Sequence, residues 1–325
     1  MLKNGNRYKK HYPGRLVINF EDDIEEPLAS PESKSQPAPA QPDDGHGQDL
    51  CFMSFGSGSS GNCAYLGSPR SGLLIDAGVD PLVVFKRLAA NGIRPDMVKG
   101  IILTHDHQDH VRYVYRFVRQ YRHIGIYCTP RLLKGMLRRH NISRRVQDYQ
   151  KNIFKEFPFH LAGMEITAFN TSHDGTDNMG FFIRSGEAAF VVATDMGVIT
   201  PEAERYMQQA TCLMIESNYD SEMLIHGHYS EMLKHRVASS TGHLDNVVAA
   251  RFVASHYTPA LKYVFLCHLS NDNNTPDIAL NTMREALQML RLTVGDASYA
   301  ADQRDRDVQL YALPRYDASP WFVIN

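Results

Sequence analysis

The residues best suited to chemistry lie in one heptapeptide, Thr104-His105-Asp106-His107-Gln108-Asp109-His110. Four metal-ligating side chains fall within six residues of it in the pattern HxHxDH: His105, His107, Asp109 and His110. So many donors suit two ions better than one. His105 and His107 alternate along an extended backbone, so both can face one side. Asp109 and His110, entering the next helix, can turn toward a second ion. Mixed imidazole and carboxylate ligation suits zinc, or manganese and iron with more oxygen ligation. A dinuclear site needs further ligands at strand ends, and three candidates follow in order. They are His173 after MEITAFNTS, Asp195 at the end of AAFVVAT, and His268 after KYVFLC. Each alone would be an ordinary loop residue; their joint appearance behind HxHxDH carries the argument.

Strands must bring these positions together. CFMSF, GLLID, GIILT, GIYC, MEITAF, GFFIR, AAFVVATD, CLMIE and KYVFLC read as strands, several of them continuous apolar runs typical of buried sheet. Helix starts are marked by a capping residue followed by proline at Asp80-Pro81, Thr129-Pro130, Thr200-Pro201 and Thr275-Pro276. Strands covered by helices on both faces imply a layered α/β sandwich. LLIDAG and FVVATDMG are alike, each a buried strand ending in Asp before a turn containing Gly. Residues 1–48 differ in composition. An acidic run leads into a Pro-, Ser-, Ala- and Gln-rich stretch that cannot bury a core, so an arm and flexible linker precede a folded domain over 49–325.

With these motifs in this order, the chain resembles the metallo-β-lactamase fold superfamily. The marks are Asp76 in LLIDAG, HxHxDH, His173, Asp195 and His268. The resemblance implies a four-layered αββα sandwich that holds two divalent ions (Zn, Mn or Fe). It assigns His105, His107 and His173 to one ion, Asp109, His110 and His268 to the other, and Asp195 to a bridge between them. Asp76 then orients a ligand imidazole, which fixes its tautomer and raises its basicity. HxHxDH rather than HxExDH favours hydrolysis over the superfamily's di-iron redox branch. SFGSGSSGNCAYL, ESNYDSEML followed by LKHRV and GHLDN, and CHLSNDNN look like the YycJ/WalJ-type subfamily of bacterial nucleases, over about Cys51 to Leu292. Departures from that subfamily fall at Gln108, Tyr113, Ser230 and Asp245 and touch no ligand position.

Two ions bridged by Asp195 would hold a hydroxide at neutral pH, because coordination lowers the pKa of water to about 7. The expected reaction is phosphodiester hydrolysis with that hydroxide as nucleophile, and the resemblance implies a 5′-to-3′ exonuclease on DNA. Expected catalytic residues are Asp109, Asp76 and His243. His243, in GHLDN, is a phosphate contact or general acid, or else it caps or packs a helix over 243–256. The loop from Gly56 to Asn62 is no P-loop, since the Lys-Ser/Thr signature is absent. Its free N–H groups could cradle phosphate, with Ser59 and Asn62 as contacts, although a plain hairpin loop is the simpler reading. Asn218 is placed in the cleft by the resemblance. His226 and His228 read as surface residues.

Charge sharpens the choice of partner. The 325 residues hold 34 Lys+Arg against 36 Asp+Glu, a net −2 that superficially argues against nucleic acid. Yet between His110 and Gln147 there is no acid, while nine Arg and one Lys give +10 and leave −12 for the remainder. Arg112, Arg116 and Arg119 share the spacing of one helical stripe directly after the metal motif. Arg116 and Arg119 are therefore expected to track a phosphate backbone. A small neutral ester, thioester or lactam would need no such surface. A non-catalytic protein that keeps metal for stability is the remaining alternative. Five cysteines without a CxxC pair suggest reduced thiols in the cytoplasm. No apolar run is long enough to span a membrane. The expected partner is a nucleic-acid substrate, DNA before RNA, with no obligate protein partner. The segment from Val308 to Asn325 reads as edge strand and tail.

Overall fold

The structure, a computed structural model, describes residues 49–296 and 305–324. The expected arm and linker over 1–48 lie outside the described residues. All nine strands expected from apolar runs are present. In the first sheet β1 (Leu50–Gly56), β2 (Cys63–Gly67) and β3 (Gly72–Ile75) form an antiparallel meander. β4 (Val98–Ile102), β5 (Gly125–Cys128) and β6 (Gln150–Asn152) then add in parallel. The second sheet opens with β7 (Phe159–Leu161), β8 (Met164–Asn170), β9 (Met179–Ser185) and β10 (Ala188–Ala193), all antiparallel. β11 (Cys212–Glu216), β12 (Tyr263–Cys267), β13 (Val294–Asp296) and β14 (Val308–Ala312) continue it in parallel. β15 (Phe322–Ile324) crosses back to pair with β1. β14 is thus interior, between β12 and β13, and not the expected edge; strand order is a tertiary choice that the apolar pattern of one strand does not encode.

The two sheets meet through aromatic side chains. Phe52 of β1 lies 5.0 Å from Phe190 and 4.7 Å from Phe265 of the second sheet, between ring centroids. Burial on both faces explains why β1, β2, β3 and β11 read as unbroken apolar runs.

Helices cover the outer faces. They are α1 (Pro81–Ala89), α2 (Gln108–Val111), α3 (Val114–Gln120), α4 (Pro130–Arg139) and α5 (Pro201–Met207). α6 (Ser221–His226), α7 (Glu231–Val237), α8 (Asn246–Ser255) and α9 (Pro276–Met289) complete the set among the described residues. α1 and α3 pack on the first sheet, α5 and α9 on the second, which makes the expected four-layered αββα sandwich. The four cap-proline signals all start helices. Asp80 accepts from the Leu82 N–H, Thr129 from Leu132, Thr200 from Ala203 and Thr275 from Ile278, at 2.9–3.2 Å.

Two helical expectations need correction. The helix expected over 243–256 begins at Asn246, because the Asp245 carboxylate is its N-cap and accepts from Val247 and Val248. His243 therefore stands ahead of the helix and is free of capping duty. The basic stripe is also not one helix. α2 stops at Val111 and α3 restarts at Val114. The cause is competition for carbonyls: Asp109 O accepts from Asn62 N at 2.8 Å and His110 O from Ala77 N at 2.7 Å. Those oxygens would otherwise have accepted from Tyr113 and Val114. Breaking the helix fastens the metal motif to two loops of the first sheet, and it parts Arg112 from Arg116 and Arg119.

Candidate metal centre

Parallel strands open their carboxyl ends onto a common crevice. Asp76 follows β3, the heptapeptide follows β4, Asp195 follows β10 and His268 follows β12. The likeness between LLIDAG and FVVATDMG has a backbone origin. Asp76 (φ 61°) and Asp195 (φ 54°) both occupy the left-handed region, as does His268 (φ 53°). Such conformations cost about 1–3 kcal/mol each and persist where the surroundings over-determine them.

All seven expected ligands converge. Nitrogens of His105, His107 and His173 lie within 4.8 Å of one another, and so do ligand atoms of Asp109, His110 and His268. Asp195 spans the two groups. Its Oδ2 is 3.4 Å from His110 Nε2, and its Oδ1 is 3.5 Å from His268 Nε2 and 3.8 Å from His173 Nε2. His105 Nε2 is buried and has no hydrogen-bond partner among the described residues. An orphaned buried nitrogen costs about 1–3 kcal/mol, so its persistence beside the Asp195 carboxylate fits a divalent ion.

Around the ligands stand groups that hold them. Asp76 accepts the His110 Nδ1 proton at 2.8 Å and also takes the Thr104 N–H and hydroxyl, leaving His110 Nε2 for a ligand role. His173 Nδ1 donates to the Gly242 carbonyl at 2.8 Å. Asn62 and Asn218, expected to touch substrate, are buried and engaged elsewhere. The Asn62 amide donates to Asp109 Oδ2 at 3.1 Å while its oxygen accepts from Gly58 N at 2.7 Å. Asn218 donates to the His268 carbonyl at 2.6 Å. Both therefore steady ligands. Ser59 is exposed at the loop tip, Arg119 is exposed, and Arg116 is held by Asp80 at 2.5 Å.

Three acids outside the expected set also belong to the site. Asp106, one of the unassigned letters of HxHxDH, is buried and accepts from Thr176 N and Oγ1 at 2.8 and 2.6 Å. Asp174 places Oδ1 3.0 Å from His107 Nε2, with Oδ2 held by Arg236. Glu216, fully buried at the end of β11, accepts from Met196 N, Leu244 N and, at 2.7 Å, from His243 Nδ1. The signal for Glu216 was there: CLMIE, like LLID, is an apolar strand ending in an acid. His243 stacks on His268 at 5.3 Å, so it belongs to the centre.

Electrostatics divide the cluster. Burial lowers His105 and pushes His107 down to about 4. Burial also opposes charge on His110 and His268, but acids outweigh it, Asp76 first for His110 and Asp195 first for His268. His110 rises to about 9, and His268 rises well above its ordinary value. Asp195 is held well below the carboxylate range, burial being overcome by His268, His110 and their neighbours.

Residues 72–265 match the β-lactamase superfamily domain. The chain is 30% identical to exodeoxyribonuclease YycJ of Bacillus anthracis, over 76% of its own length and 93% of that protein's. It is 31% identical to exodeoxyribonuclease WalJ of Streptococcus pneumoniae, over 75% of its own length and 90% of that protein's. Among solved structures, the metallo-β-lactamase fold protein YhfI of Bacillus subtilis superposes with a TM-score of 0.57 at 15% identity, covering 84% of this chain and 99% of the other. That likeness speaks to the fold. Together with the converging ligands, these relationships make the chain a metal-dependent hydrolase. It belongs to the β-lactamase superfamily and, within it, to the YycJ/WalJ family of metallo-β-lactamase-fold proteins.

Proposed function

We propose that the chain is a dinuclear phosphodiesterase that degrades DNA from the 5′ end. The observation that carries this reading is the pair of ligand groups sharing Asp195. One ion would be held by His105, His107 and His173, the other by Asp109, His110 and His268. Bound divalent ions supply Lewis acidity toward a phosphoryl oxygen and a water acidic enough to ionise near neutral pH. Asp76 keeps the Nδ1 proton of His110 and so keeps Nε2 aimed inward. Glu216 does the same for His243, whose Nε2 is then free to contact a phosphate or pass a proton to a departing oxygen. The named activity of the YycJ and WalJ relatives supports DNA as substrate. The deciding experiment is metal-reconstituted protein against end-labelled single- and double-stranded DNA, with nitrocefin and a generic ester alongside. Absence of DNA cleavage with Zn²⁺, Mn²⁺ and Fe²⁺ would sink the proposal.

Metal uptake should release protons. A ligand nitrogen must be unprotonated, and acids hold His110 charged up to about pH 9 with His268 raised in the same direction. His105 and His107 are lowered and offer lone pairs at neutral pH without that cost. Affinity should therefore climb with pH toward about 9. Calorimetric titration at pH 7 in buffers of differing ionisation enthalpy should show a net release of protons, and a buffer-independent heat would contradict the assignment.

The basic surface gives a further test. Arg119→Ala and Arg116→Ala should weaken DNA binding, each reducing the slope of log K against log salt by about 1 if it contacts a phosphate. Arg119 should contribute more, because Arg116 already has Asp80 as a partner. An unchanged salt slope in the double variant removes the phosphate track.

A further inference from the structure

The outer side of the glycine-serine loop, at Ser60 and Gly61, and the segment after β14 face each other across a cavity outside the metal centre. We propose that this cavity, of about 200 Å³, is a nucleotide subsite that binds one phosphate with its attached sugar and base. The inference deepens the nuclease reading and rests on it. Its lining includes Ser60, Gly78, Arg112, Tyr113, Arg315 and Tyr316.

Charge is the first argument. Arg112 donates to the Ser60 carbonyl at 3.3 Å, and the Ser60 hydroxyl donates to the Arg315 carbonyl at 3.4 Å, so Ser60 stands between both arginines. Arg315 donates to the Leu269 carbonyl at 3.0 Å and to the Tyr316 hydroxyl at 3.2 Å. Neither guanidinium has a carboxylate partner among the described residues, while the one acid in the lining, Asp80, is taken by Arg116. The cavity therefore presents positive charge to an anion, and guanidinium groups match phosphate oxygens in geometry.

Aromatic surface is the second. Tyr316 is 69% exposed, an uncovered ring at the cavity mouth with the Arg315 guanidinium 5.5 Å from its centroid. Base stacking on such rings is a recurrent way of holding single strands. Position is the third. Asn62 bonds Asp109 on one side and Gly78 on the other (Asn62 N to Asp109 O, Gly78 N to Asn62 O, both 2.8 Å), so one backbone layer separates the cavity wall from a ligand of the centre. Ser57 of the same loop accepts from His268 N at 2.9 Å. Size sets the occupant. The volume lies below the roughly 300–1,000 Å³ of drug-sized sites and is too little for a longer piece of strand. It takes the phosphate and sugar of one nucleotide while the base rests on Tyr316 at the mouth.

The test is equilibrium binding of a fluorescent 5′-phosphorylated dinucleotide to the metal-free full chain. Arg112→Ala and Tyr316→Ala should each weaken binding about tenfold, with thermal stability kept. Tyr316→Phe should restore affinity, because the ring remains. Arg184→Ala removes an exposed arginine of β9 outside the cavity and should change nothing. Affinity equal to wild type in both alanine variants, or no binding by the wild type, overturns the subsite. DNA cleavage by the metal-loaded wild type tests the nuclease reading separately, so each can fail without the other.

Discussion

Asp195→Ala is expected to lower kcat/KM on DNA by about a thousandfold or more, roughly 4 kcal/mol of transition-state stabilisation, and to deplete bound metal. Its two oxygens approach members of both ligand groups, His110 and His268 of one and His173 of the other, at 3.4–3.8 Å. The variant also carries a stability signature in metal-free protein. His110 has a folded pKa of about 9 against an ordinary value near 6.5. Its contribution is complete below 6.5 and is lost as pH rises through 9. Asp195, with a lowered carboxyl, contributes above about pH 4 and loses that contribution as pH falls. Removing Asp195 takes away the foremost charge that raises His268 and, after Asp76, the next that raises His110. The melting temperature of Asp195→Ala in chelator should therefore fall furthest below wild type near pH 5–6.5, with the gap closing above pH 9. A gap independent of pH would mean that Asp195 does not hold His110 and His268 charged.

What the sequence reveals here is local in kind. HxHxDH is readable because four donors sit on one strand-to-helix turn, and the caps at Asp80, Thr129, Thr200 and Thr275 because a cap and a proline are neighbours. The paired Asp ends of LLIDAG and FVVATDMG are readable as well, and the shared left-handed backbone shows why they match. Asn62 is a different case. Its residue type and glycine-rich setting suggest a phosphate contact, yet its amide is consumed by Gly58 and Asp109, the latter 47 positions away. The break after Val111 depends likewise on Asn62 N and Ala77 N claiming helix carbonyls, and no property of the segment 108–120 alone announces it. Asp174 is recognisable only once Arg236, 62 residues on, closes over it. Chemistry borne by neighbours in the chain is legible; chemistry borne by partners chosen in folding is not.

His243→Ala should cost about a hundred- to a thousandfold in kcat on DNA, the range for losing a positioned proton donor. The argument begins with Glu216. Burial alone would raise its carboxyl, but the His243 imidazole outweighs burial and lowers it, so an ionised acid sits beneath the ring. Its Oε2 is occupied by the Met196 and Leu244 N–H groups, which fixes Oε1 as acceptor for His243 Nδ1. Nε2 is thereby left as the nitrogen that can face substrate, while stacking on His268 sets the plane of the ring. If Nε2 delivers a proton to the leaving oxygen, the loss should shrink for a substrate that leaves without protonation. The comparison is DNA against thymidine 5′-(p-nitrophenyl phosphate). A large loss on DNA with a small one on the nitrophenyl ester supports proton donation, whereas equal losses reduce His243 to a phosphate contact. Turnover of DNA at the wild-type rate would remove it from catalysis. Glu216→Gln should share the kinetic defect and add instability of about 1–3 kcal/mol. The amide oxygen can keep the Met196 and Leu244 N–H groups, but its NH2 then faces His243 Nδ1, which must either lose its partner or give up the proton that leaves Nε2 in its present role.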